Sequence, residues 1–256
     1  MDLANKYGTL AIQKELLRLL KAFDTFCVEN SISYSVSSGT LLGAVRHNGF
    51  IPWDDDVDVM IRRNEYVHFL SLIGGSDKLR IERRTRKTLW VNRVRLCDSG
   101  DNCQYPPTID LFVLDNCPEG KVFRGIKKYT ILLLQGMLKE RLNIEKGGFL
   151  MKVCTLGSWL LGRFIPSRIK YLWYDRVACW GNSKPSRFLG SYYDQFIGVP
   201  IVYDKGSMSS YERMPFEDTT VSVFKGRDIY LRKVYGESYM IPPEDRDRKP
   251  LHIENA

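Results

Sequence analysis

Four aspartates fall within five positions, Asp54-Asp55-Asp56-Val57-Asp58, and run into Val59-Met60-Ile61. On an extended strand successive side chains alternate between faces, so Asp54, Asp56 and Asp58 are expected on one face and Val57 and Val59 in a core. Neighbouring carboxylates repel unless a cation compensates, and rigidly held oxygen ligands suit a hard divalent ion, Mg²⁺ or Mn²⁺. An acidic turn leading into a strand would give the same residues without a metal. A further carboxylate, Asp110, sits inside the apolar run Ile-Asp-Leu-Phe-Val-Leu at 109–114. Burying it there is expensive without a partner; a metal shared with Asp56 and Asp58 would satisfy it, and so would an arginine. Upstream, Ser37-Ser38-Gly39-Thr40 offers small residues that let backbone N–H groups approach a phosphate, although an ordinary glycine turn with Thr40 as a helix cap reads equally well. Together, a phosphate-cradling turn, a paired-carboxylate strand and a third carboxylate on a later strand are the parts needed for displacement at phosphorus.

The surrounding pattern says what must position them. Leu10, Leu16, Leu17, Leu20, Phe23 and Val28 recur near a 3.6-residue period and predict a helix over 9–29. A short strand at 32–37 and a short helix at 41–46 follow, the latter stopping near Asn48-Gly49. Strands are expected at 56–61, 79–82, 89–96 and 109–114, with a helix over 63–73. After Pro118 the texture changes to long Leu-, Lys- and Arg-rich stretches at 123–143 and 149–163 and a helix from 166 or 167 to 178, before mixed structure returns near 185. The expectation is a mixed α/β fold of the nucleotidyltransferase type, with a catalytic core at 1–120, a basic helical insertion at 121–184 and a segment at 185–256 that completes the catalytic domain.

At 37–61 the sequence reads SSGTLLGAVRHNGFIPWDDDVDVMI, which closely resembles the LicD family, also called the phosphorylcholine transferase family, to which fukutin-related proteins are distantly similar. Weaker resemblance covers most of the chain: the leading helix, Tyr34, Asp110 in its Ile-Asp-Leu-Phe strand, and the ending Val234-Tyr235-Gly236, Tyr239-Met240 and Pro242-Pro243, with His252 beyond. One departure is Ser38, where the family usually has glycine, which bears on donor geometry. The resemblance implies a nucleotidyltransferase fold and transfer of a phospho-alcohol, often phosphocholine, from a CDP-linked donor to a glycan hydroxyl, with CMP leaving. Carried across by position, it implies Asp56 and Asp58 as metal ligands, Asp110 as the third carboxylate, and Asp54 as a further ligand or a group behind the ligands. Movement of the NMP portion instead, or a catalytically silent adaptor, are the rival readings.

Softer candidates surround this core. Arg46 and His47 suit donor phosphate, as Ser38, Gly39 and Thr40 do, or an Arg–Asp pair with the acidic loop. Arg93 and Arg95 share a strand face that could meet phosphate or remain solvated. Tyr34 and Trp90 could box a choline ammonium through cation–π contact or simply pack. His252 could reach the site or be structural, and Trp53 could line it or pack.

Bulk properties narrow the class. The six cysteines form no CxxC pair or Cys/His cluster, which excludes a usual structural zinc site and predicts reduced thiols. No secretory signal opens the sequence and the longest uncharged apolar runs are half of what a membrane span requires, so a cytoplasmic protein is expected. The formal charge of +8 is uneven: residues 121–176 hold 12 Lys and Arg against 3 acids, a net of +9. Such a segment faces a polyanion or anionic lipid, or is a helical layer packed on the catalytic domain. The expected partners are a CDP-alcohol donor, a glycan acceptor that could be lipid-linked, and the inner face of the cell membrane, with no nucleic acid.

Overall fold

The computed structural model describes residues 3–84, 91–98, 106–140, 149–194 and 198–250. In chain order the elements are α1 (Leu3–Lys6), α2 (Leu10–Glu29), β1 (Tyr34–Val36), α3 (Ser38–His47), β2 (Val57–Arg62), α4 (Arg63–Leu72), β3 (Leu79–Glu82), β4 (Asn92–Leu96) and β5 (Ile109–Asn116). They continue with α5 (Lys121–Leu138), α6 (Phe149–Arg163), α7 (Ser167–Cys179), β6 (Phe188–Ser191), β7 (Val202–Asp204), β8 (Tyr211–Phe216), β9 (Thr219–Phe224) and α8 (Arg227–Tyr235). The fold is mixed α/β, as the alternating patterns predicted.

The chain forms two compact units. The first is Met1–Glu82, Asn92–Val113 and Gly206–Ala256; the second is Arg83–Val91 and Leu114–Lys205.

In the first unit the strand order is β1-β2-β5-β4-β3. Strands β1 and β2 pair antiparallel with Val36 opposite Val59, and β4 and β5 pair with Arg93 opposite Asp110. Amphipathic α2 lays Leu16, Leu19, Leu20, Phe23 and Cys27 into the core, where Phe23 meets the rings of Tyr34 and Phe69. Hairpin β8–β9 closes the unit from the far end of the sequence. Its Ser222 hydroxyl donates to the Tyr34 carbonyl at 2.6 Å, and the Phe224 N–H donates to Ser35 Oγ at 3.0 Å. These bonds stabilise β1 from the opposite end of the chain, something no local pattern announces.

The second unit is mostly helical. The end of β5 pairs with β6, and β6 pairs with β7. Helix α5 packs against α6 and α7 through Ile131, Leu134 and Leu138. Two lysines are fully buried in it. Lys127 Nζ donates to the carbonyls of Asn116 and Trp180 and lies 3.8 Å from the Tyr192 ring centre. Lys170 Nζ donates at 2.9 Å to the carbonyls of both Met137 and Gly162, near the C-termini of α5 and α6, where unpaired carbonyls and the helix dipole favour a cation. No helix among the described residues is long and apolar enough to cross a membrane. Among the described residues the cysteines are free thiols; Cys103 lies outside them.

Candidate active site

The acidic run is not one continuous strand. Strand β2 begins at Val57, so Asp58 is in the sheet while Asp54, Asp55 and Asp56 lie in the loop before it. The expected alternation holds over the first three residues of β2, with Val57 and Val59 fully buried and Asp58 between them. The loop is instead shaped from α2. Gln13 Nε2 donates to the carbonyls of Ile51 and Asp54 at 3.0 and 2.8 Å, and the Thr9 hydroxyl donates to the Pro52 carbonyl at 2.6 Å. Held this way, residues 51–54 bend into a turn rather than extend.

Helix α3 fixes the other side. The Ser37 N–H donates to the Asp58 carbonyl, and the Asp58 N–H donates to the buried Thr40 hydroxyl, both at 2.9 Å. Thr40 therefore sets the register of the acid-bearing strand. The glycines of the motif make the room. A Cβ on Gly39 would lie 2.6 Å from Asp54 Oδ2, and one on Gly43 would lie 2.4 Å from the Gly49 carbonyl. Both neighbours belong to the turn that delivers the aspartates. The tip of hairpin β8–β9 then locks that turn: Glu217 Oε1 accepts from the Phe50 N–H at 2.9 Å, and the Glu217 N–H donates to the Asn48 carbonyl at 2.7 Å.

Position 38 has an unusual backbone. Ser38 has φ 47°, in the left-handed region that a side chain disfavours. Its N–H donates to the Tyr230 hydroxyl at 3.1 Å, and its own hydroxyl lies 3.4 Å from the same oxygen.

Asp54, Asp56 and Asp58 converge electrostatically. Burial, then the charges of Asp56 and Asp55, then a hydrogen bond with Asp56 push the Asp54 carboxyl well above the usual carboxylate range. Burial and then the charges of Tyr230, Asp58, Asp54 and Asp56 raise the Tyr235 phenol, so all three carboxylates lie within electrostatic reach of this side chain at the end of α8. Asp54 Oδ2 is buried with no hydrogen-bond partner among the described residues. That orphaned oxygen beside a repelling carboxylate suits a bound cation. A closed cage is not preformed: among the described residues no three His, Cys, Asp or Glu side chains gather as a metal-binding group.

Asp110 has a partner. Arg93 Nε lies 2.8 Å from Oδ1 and Nη2 donates to Oδ2 at 3.3 Å, across the β4–β5 register. Asp110, on the strand next to β2, thus pairs with Arg93. Arg95, on the same strand as Arg93, is buried and lies 3.7 Å from Glu82.

A cavity of about 420 Å³ adjoins the loop, lined among others by Gly39, Arg46, Trp53, Asp54, Tyr235, Tyr239 and Lys249. Arg46 donates to the Tyr239 carbonyl and to His47 Nε2. The imidazole's pKa is pushed below its ordinary value by burial and then by the Arg46 charge, which keeps that nitrogen an acceptor. Trp53 both packs and lines: Tyr7 meets its ring at a centroid distance of 5.7 Å, and the Arg248 and Arg46 guanidinium groups lie over it at 5.2 and 6.0 Å. Tyr34 is in the core, with its hydroxyl on Asp24, and does not line the cavity. Trp90 and His252 lie outside the described residues. Tyr235, Tyr239 and Lys249 were not singled out as site residues by type and spacing, although Tyr235 and Tyr239 stand in the ending block that carried the family resemblance.

The site thus sets an acid-bearing strand, entered past a helix-opening turn, beside a strand that carries a further carboxylate. Residues 31–114 match the LicD/FKTN/FKRP nucleotidyltransferase domain. It is 28% identical over 261 residues to the lipopolysaccharide cholinephosphotransferase LicD of Haemophilus influenzae, covering 94% of each chain. Two uncharacterised proteins match shorter stretches. One, of Rickettsia typhi, is 45% identical over 58 residues (23% of this chain, 19% of that protein). The other, of Rickettsia prowazekii, is 41% identical over 64 residues (25% of this chain, 24% of that protein).

Proposed function

We propose that the chain moves a phospho-alcohol, phosphocholine first among the candidates, from a CDP-linked donor to a hydroxyl of lipopolysaccharide or a related cell-surface glycan, releasing CMP. The observation that carries this reading is Asp54, beside Asp56 in the loop before β2, at the wall of a cavity that also presents Arg46, Tyr235 and Lys249. The likeness to a lipopolysaccharide cholinephosphotransferase over nearly the whole chain supports the choice of substrates.

In this reading Arg46 and Lys249 bind and orient the donor's diphosphate. Gly39 leaves space beside Asp54 that any side chain would fill. A divalent ion, Mg²⁺ or Mn²⁺, would be held by Asp56 and Asp58, with Asp54 as a further ligand, and supplies charge neutralisation at phosphate and a more acidic acceptor hydroxyl. Asp110, oriented by Arg93, accepts the proton of that hydroxyl. The acceptor oxygen bonds to the phosphorus carrying the alcohol, the phosphoanhydride bond breaks, and CMP leaves with its electron pair.

The test is metal-dependent CMP release from CDP-choline, with lipopolysaccharide as acceptor and CDP-ethanolamine, CDP-glycerol and CDP-ribitol run in parallel. Asp56→Asn and Asp58→Asn are expected to reduce transfer to background with unchanged circular dichroism and weakened metal binding. Full activity in either variant would sink the assignment. A wild-type chain that binds no divalent cation would favour the non-catalytic adaptor.

A further inference from the structure

Helices α5, α6 and α7 are apolar on two sides. In α5 the buried face is Lys127, Ile131, Leu134 and Leu138, and on the opposite side Val122, Ile126, Tyr129 and Leu133 form a second stripe in solvent. Their spacing of four, three and four residues keeps them on one face. Helix α6 and its end repeat the arrangement: Ser158 and Gly162 are buried, while Val153, Leu156, Leu160 and Phe164 are exposed, Phe164 at 86%. Helix α7 buries Lys170, Tyr174 and Ala178 and exposes Ile169, Leu172 and Trp173. Of the 21 large apolar side chains exposed among the described residues, 14 lie between Val122 and Trp180. A helix apolar all round is normally buried; these three each leave one face uncovered.

Charge indicates what covers them. Lys121 and Lys128 flank the α5 stripe, Lys152 and Arg163 flank that of α6, and Arg168 and Arg176 lie beside or within that of α7. The acids do not offset them. In the described part of 121–176 the acids are Glu140 and Asp175, and Asp175 is held by Arg84 at 2.5 Å and by the Tyr193 hydroxyl at 2.9 Å. Long basic side chains beside apolar and aromatic ones match a headgroup layer, where the stems lie along acyl chains and the cations meet lipid phosphate.

We infer that this face of the second unit docks on an anionic membrane surface, with α5, α6 and α7 lying in the interface rather than crossing it. Charge complementarity selects lipid over a second copy of the chain, since two copies would bring the same basic side chains of this face together. The inference goes beyond the catalytic reading and is independent of it.

The test is co-sedimentation of the full chain with vesicles of phosphatidylcholine alone or mixed with phosphatidylglycerol. Binding to the anionic vesicles, about tenfold or more stronger than to the neutral ones and lost at high salt, is expected. Leu133→Glu and Trp173→Glu should each reduce it about tenfold, and Lys121→Glu with Lys128→Glu should do the same, with circular dichroism and transfer to a soluble acceptor unchanged. No binding to anionic vesicles at low salt overturns the inference. So does a dimer in light scattering that Leu133→Glu dissociates, which would give the face to a second copy. Because the vesicles contain no donor or glycan, a failed transfer reaction leaves this outcome unaffected.

Discussion

At the scale of single residues, the aspartates divide by what stands next to them. Asp54 is half-buried against Asp56 with its Oδ2 buried and unpartnered among the described residues, whereas Asp110 is held by Arg93. Asparagine should therefore act in opposite directions at the two positions. A carboxyl whose pKa is raised in the folded state contributes stability only at low pH, and loses that contribution as pH rises through its folded value. Asp54→Asn should accordingly raise the melting temperature in chelator at neutral pH, with the gain disappearing in acid, and saturating divalent cation should reverse the order because wild type then gains more from binding. Asp110→Asn should lower the melting temperature by about 3 °C, corresponding to about 1 kcal/mol for a partly exposed pair in a chain of this size. Differential scanning calorimetry with and without chelator reads both. A rise for Asp110→Asn would mean that Arg93 is not its partner in solution. Ser38 supplies a third case. Its left-handed backbone is one that glycine adopts freely, so Ser38→Gly should stabilise by about 1 kcal/mol. A fall in melting temperature would instead give the weight to its 3.4 Å contact with Tyr230.

At the scale of elements, the strongest local ties are made by side chains that no periodicity predicts. Lys170 joins the C-termini of α5 and α6 through one ammonium group. Replacing it with methionine keeps the volume but leaves two buried carbonyls without a donor, and should cost about 2 kcal/mol, read as a fall of about 6 °C in melting temperature. An unchanged melting temperature would mean that the removed burial cost of the ammonium offsets the lost bonds. The same contrast separates what the sequence revealed from what it concealed. Helices α2, α6 and α7 and strand β3 fall within a residue of their predicted bounds, because each is specified by a run of its own residues. Strand β2 also falls within a residue of its predicted bounds, but the sequence did not show that Asp54 and Asp56 belong to a loop that Gln13 holds from 38 and 41 residues away. Asp110 was legible as a carboxylate in need of a partner, but that Arg93 stands opposite it depends on the β4–β5 register, which a single strand does not encode.

At the scale of the whole molecule, the site is assembled from three distant parts of the first unit. The acid loop and α3 come from the middle of the family segment, Gln13 and Thr9 from α2 before it, and Glu217, Tyr230, Tyr235 and Lys249 from the last fifth of the chain. The motif at 37–61 was legible because its glycines and aspartates are adjacent in sequence. Its supports were not, because bonds such as Phe50 to Glu217 and Ser38 to Tyr230 span 167 and 192 residues. The matched stretch, 31–114, is therefore expected not to fold alone, although it contains Asp54, Asp56, Asp58 and Asp110. Without α2 the cores of Tyr34 and Phe69 lose Phe23, and without the β8–β9 hairpin β1 loses its bonds to Ser222 and Phe224. A chain ending at residue 205 keeps α2 but loses the Glu217 lock and one wall of the cavity, and should fail to bind divalent cation despite an intact acidic run. Circular dichroism melts, amide dispersion in NMR spectra and metal titration on 31–114, 1–205 and the full chain measure this directly. A cooperative melt with native-like dispersion in 31–114, or full cation affinity in 1–205, would show that the acid loop holds its shape without the C-terminal hairpin and helix, and that the long-range bonds follow the site's geometry rather than set it.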